Sequence, residues 1–288
     1  MDFSKKIILG TANFDDSYGI FNNKIPRKKI GPILNYAYKK KINFLDVAKD
    51  YKSSKLEKLN KYKNFKIYKK INIDDNFFSK GNLEKKINAY LFGNKNTKPK
   101  CYAVTIRKPK KYNSLKLKKI ISFLQILKKS YKIEKIGISI YDVKNLKKIL
   151  NKFKIDYIQL PYNILDFNTL KLTKKIVKKR KIEIHLRSIF LQGLLLKNKD
   201  QIPKKLKKLK KYWNKIERIL EINGINKITA CVSYALRAKP DKIIIGIDSK
   251  NQLDEILKIK AKKFKIAKLN IIEKKLIDPI FWLKFKTR

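Results

Sequence analysis

The chain has 288 residues, room for one large domain or two small ones, and its 43% hydrophobic and 11% aromatic content supplies a core and argues against wholesale disorder. Lys plus Arg number 74 against 23 Asp plus Glu, a formal charge of +51, which first suggests a binder of nucleic acid or anionic membrane. Only seven of those basic residues are arginine and the lysines are spread over every helical stretch, so the pattern is better explained by composition drift on solvent faces, with only weak, salt-sensitive polyanion binding expected from it.

No stretch approaches the roughly 20 apolar residues that span a bilayer. The start, MDFSKKIILG, has no long apolar core, so no secretory leader is expected. Cys101 and Cys231 are far apart and fit no metal spacing. Two cysteines make no disulfide framework, so a reducing cytoplasm and no metal site are expected.

Short apolar runs alternate with lysine-rich amphipathic ones. A strand at 6–12 precedes a helix at 28–41, and a strand at 44–48 precedes a helix at 53–62. The alternation continues with strand 65–71, helix 82–92, strand 101–107, helix 114–131, strand 135–140 and helix 142–152. It ends with strand 157–162, helix 168–180, strand 182–188, a helical stretch at 204–238 broken near Gly224, strand 242–247 and helix 250–260. Strict alternation means parallel strands joined by crossovers. Eight such units predict an α/β protein, a single (β/α)₈ TIM barrel over 1–288 with a short C-terminal tail at 267–288. The runner-up, an open doubly wound sheet, usually carries a Gly-rich first turn, and Gly10-Thr-Ala-Asn13 is not one. The charge run at 204–211 reads as the polar side of a surface helix, with Leu206 and Leu209 supplying its apolar side.

In such a barrel, chemistry sits where strands end. The strand ends carry Asn13, Asp46, Lys70, Arg107, Ser139, Asn163, Arg187, Ser188 and Gly246. That is a polar, cation-rich mouth, suited to an anionic ligand such as a dinucleotide.

Asp46-Val-Ala-x-x-Tyr51 resembles the Asp-x-Ala-x-x-Tyr signature of aldo-keto reductases. The resemblance covers almost the whole chain in order. It takes in Leu9-Gly10-Thr11-Ala12, Tyr18-Gly19-Ile20, Gly137-Ile-Ser139, Gln159-Leu-Pro-Tyr-Asn163, Arg187-Ser188-x-Phe190-Leu-Gln-Gly193 and Ile245-Gly246-x-x-Ser249. It implies reversible hydride transfer between NADP or NAD and a small carbonyl or alcohol. Tyr51 matches the family's general acid. A phenol titrates near 10, and a neighbouring buried ammonium lowers that value. Lys70 matches that lysine and Asp46 its counter-ion; of Lys69 and Lys70, strand alternation turns only one inward.

The fourth member departs from the family. Arg107 stands where the family has histidine, in Thr105-Ile-Arg-Lys-Pro109. The single histidine, His185, lies on the seventh strand and reads as a barrel-wall residue. Residues 101, 103, 105 and 107 are expected on one face, with Arg107 at the mouth, binding a carbonyl oxygen or an adjacent carboxylate. An arginine donates only and is permanently charged, so a catalytically disabled relative is the alternative reading.

Further resemblance assigns Ser139 and Gln159 to the carboxamide and nicotinamide ring, with Ile140 where many members have Asn. It assigns Ser188 to Gly193 to the pyrophosphate, and Gly246, Ser249, Gln252 and Glu255 to the adenosine end. Gln252 stands where an arginine would hold a 2′-phosphate; Lys250 offers a point charge there and favours NADP. The tail, with Asp278-Pro279 and Trp282, resembles the family segment that borders the substrate pocket.

Overall fold

The computed structural model describes residues 3–49, 51, 64–72, 82–93, 100–107, 115–166, 168–264 and 273–283. Eight parallel strands close into a barrel in sequence order: β1 Ile7–Gly10, β2 Phe44–Ala48, β3 Lys66–Asn72, β4 Lys100–Arg107, β5 Lys135–Ser139, β6 Tyr157–Pro161, β7 Glu183–Arg187 and β8 Lys242–Gly246. β1 pairs β8 from Ile7–Ile243 to Gly10–Gly246, which closes the ring and removes exposed sheet edges. This is the (β/α)₈ barrel expected from the alternation.

The outer face of each strand is branched aliphatic. Leu9, Leu45, Val47, Ile106, Ile138 and Leu160 belong to one large buried cluster with the helix faces. Among these helices are α1 Arg27–Lys39, α2 Leu83–Phe92, α3 Leu115–Lys129, α4 Leu146–Lys152 and α5 Asn168–Val177. They continue with α6 Lys210–Ile222, α7 Lys227–Arg237, α8 Lys250–Lys258, α9 Lys274–Ile277 and α10 Pro279–Leu283. Leu117, Ile120, Ile121 and Leu124 form the buried stripe of α3, the three- and four-residue spacing that marks a core-facing helix. Among the described lysines only Lys69 and Lys70 are buried. Leu206 and Leu209 are buried beneath the 204–211 charge run, as its pattern requires.

The barrel interior is different in kind. Ile8, Tyr68, Ala103, Tyr157 and Ile244 form a separate small cluster. Tyr157 stacks on His185 with ring centroids 4.5 Å apart, and Tyr68 meets Tyr157 edge-on at 5.4 Å. His185 is a buried wall residue, its Nε2 3.0 Å from Glu183 Oε2. Below this layer Lys135 is paired with Glu183, and Lys242 lies 4.6 Å from the Phe44 ring centroid.

Three expectations on boundaries and faces are corrected. Ile67 pairs Cys101 while Tyr68 pairs Ala103, so Tyr102 is an extra residue in β4. That bulge reverses the alternation: Cys101 packs in the outer cluster, and Ala103 in the inner one. Cys101 therefore does not share a face with 103. The helix expected at 142–152 starts at Leu146, because Asp142 Oδ1 accepts a bond from Lys144 N and Asn145 is left-handed. The 204–238 stretch comprises a 3₁₀ turn at Lys204–Leu209, then α6 and α7. Gly224, with φ 53°, ends α6 while Ile225 N donates to Leu220 O. The helix expected at 53–62 lies outside the described residues.

Gly137 makes room for the inner aromatic layer. A Cβ there would stand 2.2 Å from the Tyr157 ring. That ring is pinned by His185 and by a 2.6 Å hydrogen bond to Thr105 Oγ1. Gly137→Ala is expected to destabilise the fold by about 1–3 kcal/mol through overpacking. Urea unfolding would show a lower midpoint at unchanged slope.

His185 generates a second expectation. Burial holds its imidazole below the usual value, against the raising effect of Glu183. Below the ordinary histidine pKa of about 6.5 the unfolded chain binds a proton that the folded chain resists. This part of the stability is complete above that pH and falls as the pH drops below it. Thermal unfolding at about pH 7.5 and about pH 5.5 should show the loss, and His185→Gln should shrink it.

Candidate active site

The barrel's upper layer replaces the aromatic one with ions and amides. Lys70 Nζ lies 2.5 Å from Asp46 Oδ1, and both side chains are buried. Strand pairing dictates the meeting: Ala48 is level with Lys70 on the neighbouring strands, and Asp46 sits one inward position lower. Lys69, on the opposite face of β3, donates to Tyr90 O at 3.1 Å, so Lys70 is the inward lysine. The second oxygen of Asp46 accepts from Gln159 Nε2 at 3.3 Å, and Thr11 Oγ1 donates to the Asp46 carbonyl at 2.9 Å. The carboxylate is thus held from both sides of the barrel. The Gln159 Oε1 atom is buried without a hydrogen-bond partner.

A cavity of about 370 Å³ opens above this pair, in the size range of small-molecule sites. Asp46, Tyr51, Lys70 and Arg107 all line it. Tyr51 enters from the turn after β2, where its N–H donates to Ala48 O, and its ring meets Tyr18 edge-on at 6.5 Å between centroids. Arg107, level with Asn72 and Ser139 on its neighbours, is at the upper end of β4. Ser139, Ser188, Gly193, Gly246 and Gln252 line the same cavity. Gln159 lies behind Asp46 instead of on the lining.

Two expected adenosine-end residues have other contacts. Ser249 accepts from Gln252 N and caps α8, while Glu255 accepts from Asn226 Nδ2. Neither lines the cavity. Lys250 rests over the Tyr36 ring, 5.0 Å from its centroid, and is also absent from the lining.

The loop after β7 has an unusual backbone. Ser188, Leu191 and Gln192 are left-handed at φ 58°, 47° and 55°, followed by Gly193 at 85°. Left-handed non-glycine residues cost of order 1–3 kcal/mol each and persist where the surroundings over-determine them. Here Leu191 N donates to Ser188 O and Gly193 N to Phe190 O. Gly19, at φ 75°, packs against Gln192: its Cβ would lie 3.2 Å from Gln192 Cβ. Asn13 Nδ2 donates to Ile247 O at 2.7 Å and to Asp248 Oδ1 at 3.2 Å, tying the first loop to the last. Burial pushes the Asp248 carboxyl upward, while Lys197 and the two asparagine bonds oppose it.

Tyr141 and Asp248 are cavity-lining residues that no sequence motif marks, and the sequence puts Arg187 at the mouth without giving it a role. Tyr141 lies directly after the Ile140 that departs from the family's Asn, outside every motif of the resemblance. The Arg187 guanidinium is 4.1 Å from the Tyr141 ring centroid. This cation holds the Tyr141 phenol below its ordinary value; Arg107 and Lys70 add to the effect, while burial and Asp278 oppose it. The tail contributes Pro279 to the lining, and Trp282 is buried.

These features can be set beside known proteins. The family model for the aldo/keto reductase family matches residues 6–277. The chain belongs to the aldo/keto reductase family. Its fold is shared with the glycerol dehydrogenase AKR11B4 of Gluconobacter oxydans at a TM-score of 0.68 and 16% identity, covering 90% of this chain and 88% of that one. It is shared too with the holo form of aldo-keto reductase AKR11C1 from Bacillus halodurans, TM-score 0.65, 16% identity, 95% and 92% covered. A third is MGS-M4, an aldo-keto reductase from a deep-sea metagenome library, TM-score 0.63, 13% identity, 91% and 88% covered. No curated protein matches the sequence. Among the described residues no His, Cys, Asp and Glu group is arranged for a metal, and no helix is long and apolar enough to cross a membrane.

The Asp46–Lys70 pair yields a stability test. Removing one member of a buried pair leaves the other uncompensated, a cost of about 3–5 kcal/mol. Asp46→Asn should therefore lower the unfolding free energy by that order. The double change Asp46→Asn with Lys70→Met should lose less, because no ammonium is then stranded; denaturant titration compares the two.

Proposed function

We propose that the chain is a cytoplasmic NAD(P)-dependent oxidoreductase that reduces a small carbonyl or oxidises the matching alcohol. The observation that carries this reading is the gathering of Asp46, Tyr51 and Lys70 on one cavity in a member of this family. The residues present fit a nicotinamide dinucleotide on one count: Gly246 has nothing within 4 Å of where a Cβ would be, leaving the end of β8 open for close approach. Gln159 Oε1, a buried acceptor with no partner, would reach an amide donor only if its side chain turned onto the lining. Ser139 and Gln159 would hold the carboxamide, the 188–193 loop the pyrophosphate, and Gly246 with Gln252 the adenosine end. When bound, the cofactor supplies the hydride.

The chain's own residues handle the proton. A carbonyl carbon that gains a hydride leaves an alkoxide, and Tyr51 is the donor to that oxygen. Lys70 favours the resulting phenolate, and Asp46 holds the ammonium in place. Arg107 directs further positive charge at the same oxygen. NADP is preferred over NAD on Lys250, which would have to leave the Tyr36 ring to reach a 2′-phosphate. The second reading, a disabled reductase that keeps the binding site, is favoured by one observation. A permanently protonated guanidinium lines the cavity where the family has an imidazole able to exchange protons.

Calorimetric titration with NADPH and NADH tests the cofactor. Binding of at least one is expected, and none at about millimolar concentration would sink the enzyme reading. A panel of aldehydes, ketones and keto acids on wild type, Arg107→Ala and Arg107→His then separates the two readings. Loss of a charged donor aimed at the transition-state oxygen is expected to cost about 2.7–4 kcal/mol, a hundredfold to a thousandfold in turnover. If wild type binds cofactor yet reduces nothing while Arg107→His gains activity, the disabled reading holds. Equal turnover by Arg107→Ala and wild type on every substrate would remove Arg107 from the chemistry.

A further inference from the structure

Arg187 is a cavity-lining cation with no carboxylate among the described residues in ion-pair range. It ends β7, lines the cavity and is half-buried. One amino group donates to Ile140 O at 3.0 Å and the other to Ser188 Oγ at 3.3 Å. Its Nε is buried without a partner. Two of five N–H donors are therefore used, and both acceptors are neutral. Among the described residues no carboxylate forms an ion pair with it. Lys70, by contrast, is neutralised by Asp46.

A half-buried guanidinium with no described carboxylate in range gains when a ligand supplies the opposite charge. The ring of Tyr141 covers one face of the planar fork at 4.1 Å. Stacking and the two hydrogen bonds fix the orientation, Nε is buried, and the second N–H of each amino group is left for a ligand. A planar fork held in this way matches the two oxygens of a carboxylate. The same cavity carries Tyr51, Lys70 and Arg107, so an anion on Arg187 would share the space in which the proposed carbonyl reduction takes place.

We propose that Arg187, braced by Tyr141, anchors a carboxylate of the substrate, which makes the substrate class a small keto acid or its hydroxy-acid counterpart. This rests on the reductase reading above and narrows it. Arg187 is a specificity-determining residue, distinct in role from Arg107 at the reacting oxygen. A dinucleotide phosphate offers similar chemistry to a guanidinium, and the experiment separates the two sources.

The test is calorimetric titration of oxamate, a planar carboxylate with the shape of a three-carbon 2-keto acid, into the full chain with and without saturating NADPH. The neutral control is lactamide. Wild type is expected to bind oxamate and to show no measurable affinity for lactamide. Arg187→Met should weaken oxamate by about tenfold to a hundredfold, the loss of one charged hydrogen-bonded pair. Its NADPH affinity should stay within about threefold of wild type. Arg187→Lys, which keeps the charge and loses the fork, should fall between the two and serves if the methionine variant does not fold. Oxamate affinity unchanged in both variants overturns the proposal. So does a loss of NADPH affinity with oxamate binding intact, because Arg187 then serves the cofactor. Failure of NADPH to bind wild type strikes the reductase reading alone, and the oxamate titration without cofactor still decides the carboxylate site.

Discussion

A buried ion pair governs the upper half of this barrel. Lys70 and Asp46 lie 2.5 Å apart near the end of a ring of parallel strands. A lone ammonium in that position would be strongly disfavoured, and so would a lone carboxylate. Together, with Gln159 and Thr11 satisfying the remaining acceptors, they form a rigid polar floor. Every other functional element is placed relative to that floor: Tyr51 from the turn after β2, Arg107 from the end of β4, and Arg187 from the end of β7. The closed ring makes this possible, because inward positions of non-neighbouring strands face one another across only a few ångströms.

The strands use their two faces for different purposes, and this explains what the sequence does and does not disclose. Outward faces must pack on helices, so they are Ile, Leu and Val, and such runs are visible in any single sequence. That is why all eight strands and most of the helices were legible, with errors confined to ends where a side chain or a left-handed residue cuts a helix short, as at Asp142 and Asn145. Inward faces pack only against one another. Their order is set by which strands oppose across the barrel, and no local pattern encodes that. The Tyr157–His185 stack and the space kept free by Gly137 belong to this hidden class. The bulge at Tyr102 is hidden for a further reason. One extra residue shifts the alternation, so Cys101 and Ala103, two apart in sequence, occupy opposite sides of the wall.

Site residues divide along the same line. Asp46 and Tyr51 are legible because a family signature names their spacing, Lys70 because strand alternation turns one of two adjacent lysines inward, and Ser188 to Gly193 because glycine and its neighbours form a recognisable loop. Tyr141 and Arg187 were not, since their significance arises from contact with each other. One follows β5 and the other ends β7, and the ring and guanidinium meet only after the barrel closes. Ser249 and Glu255 show the converse. Their positions match a motif, yet their side chains are engaged in capping α8 and in bonding Asn226.

The whole-molecule charge and the charge of the cavity are separate matters. Of the described lysines only Lys69 and Lys70 are buried, and on the remainder water and salt screen the charge within about 10 Å at 0.1 M. Their number says little about what the barrel binds. The cations lining the cavity act across short distances beside a low-dielectric wall, where a charge interacts more strongly than on the screened surface. Their selection is also different: the surface is almost all lysine, whereas two of the chain's seven arginines line this one cavity. Lysine suffices for solubility, because a mobile point charge keeps a surface hydrated. Arginine is required where a fixed planar donor must hold its orientation against a ring or a ligand. The depressed phenol of Tyr141, held down first by Arg187 and then by Arg107 and Lys70, marks where those fixed charges converge. The lining also carries Asp16, Asp46 and Asp248, so what the two arginines add at the mouth is a fixed direction of charge and not a net excess of it.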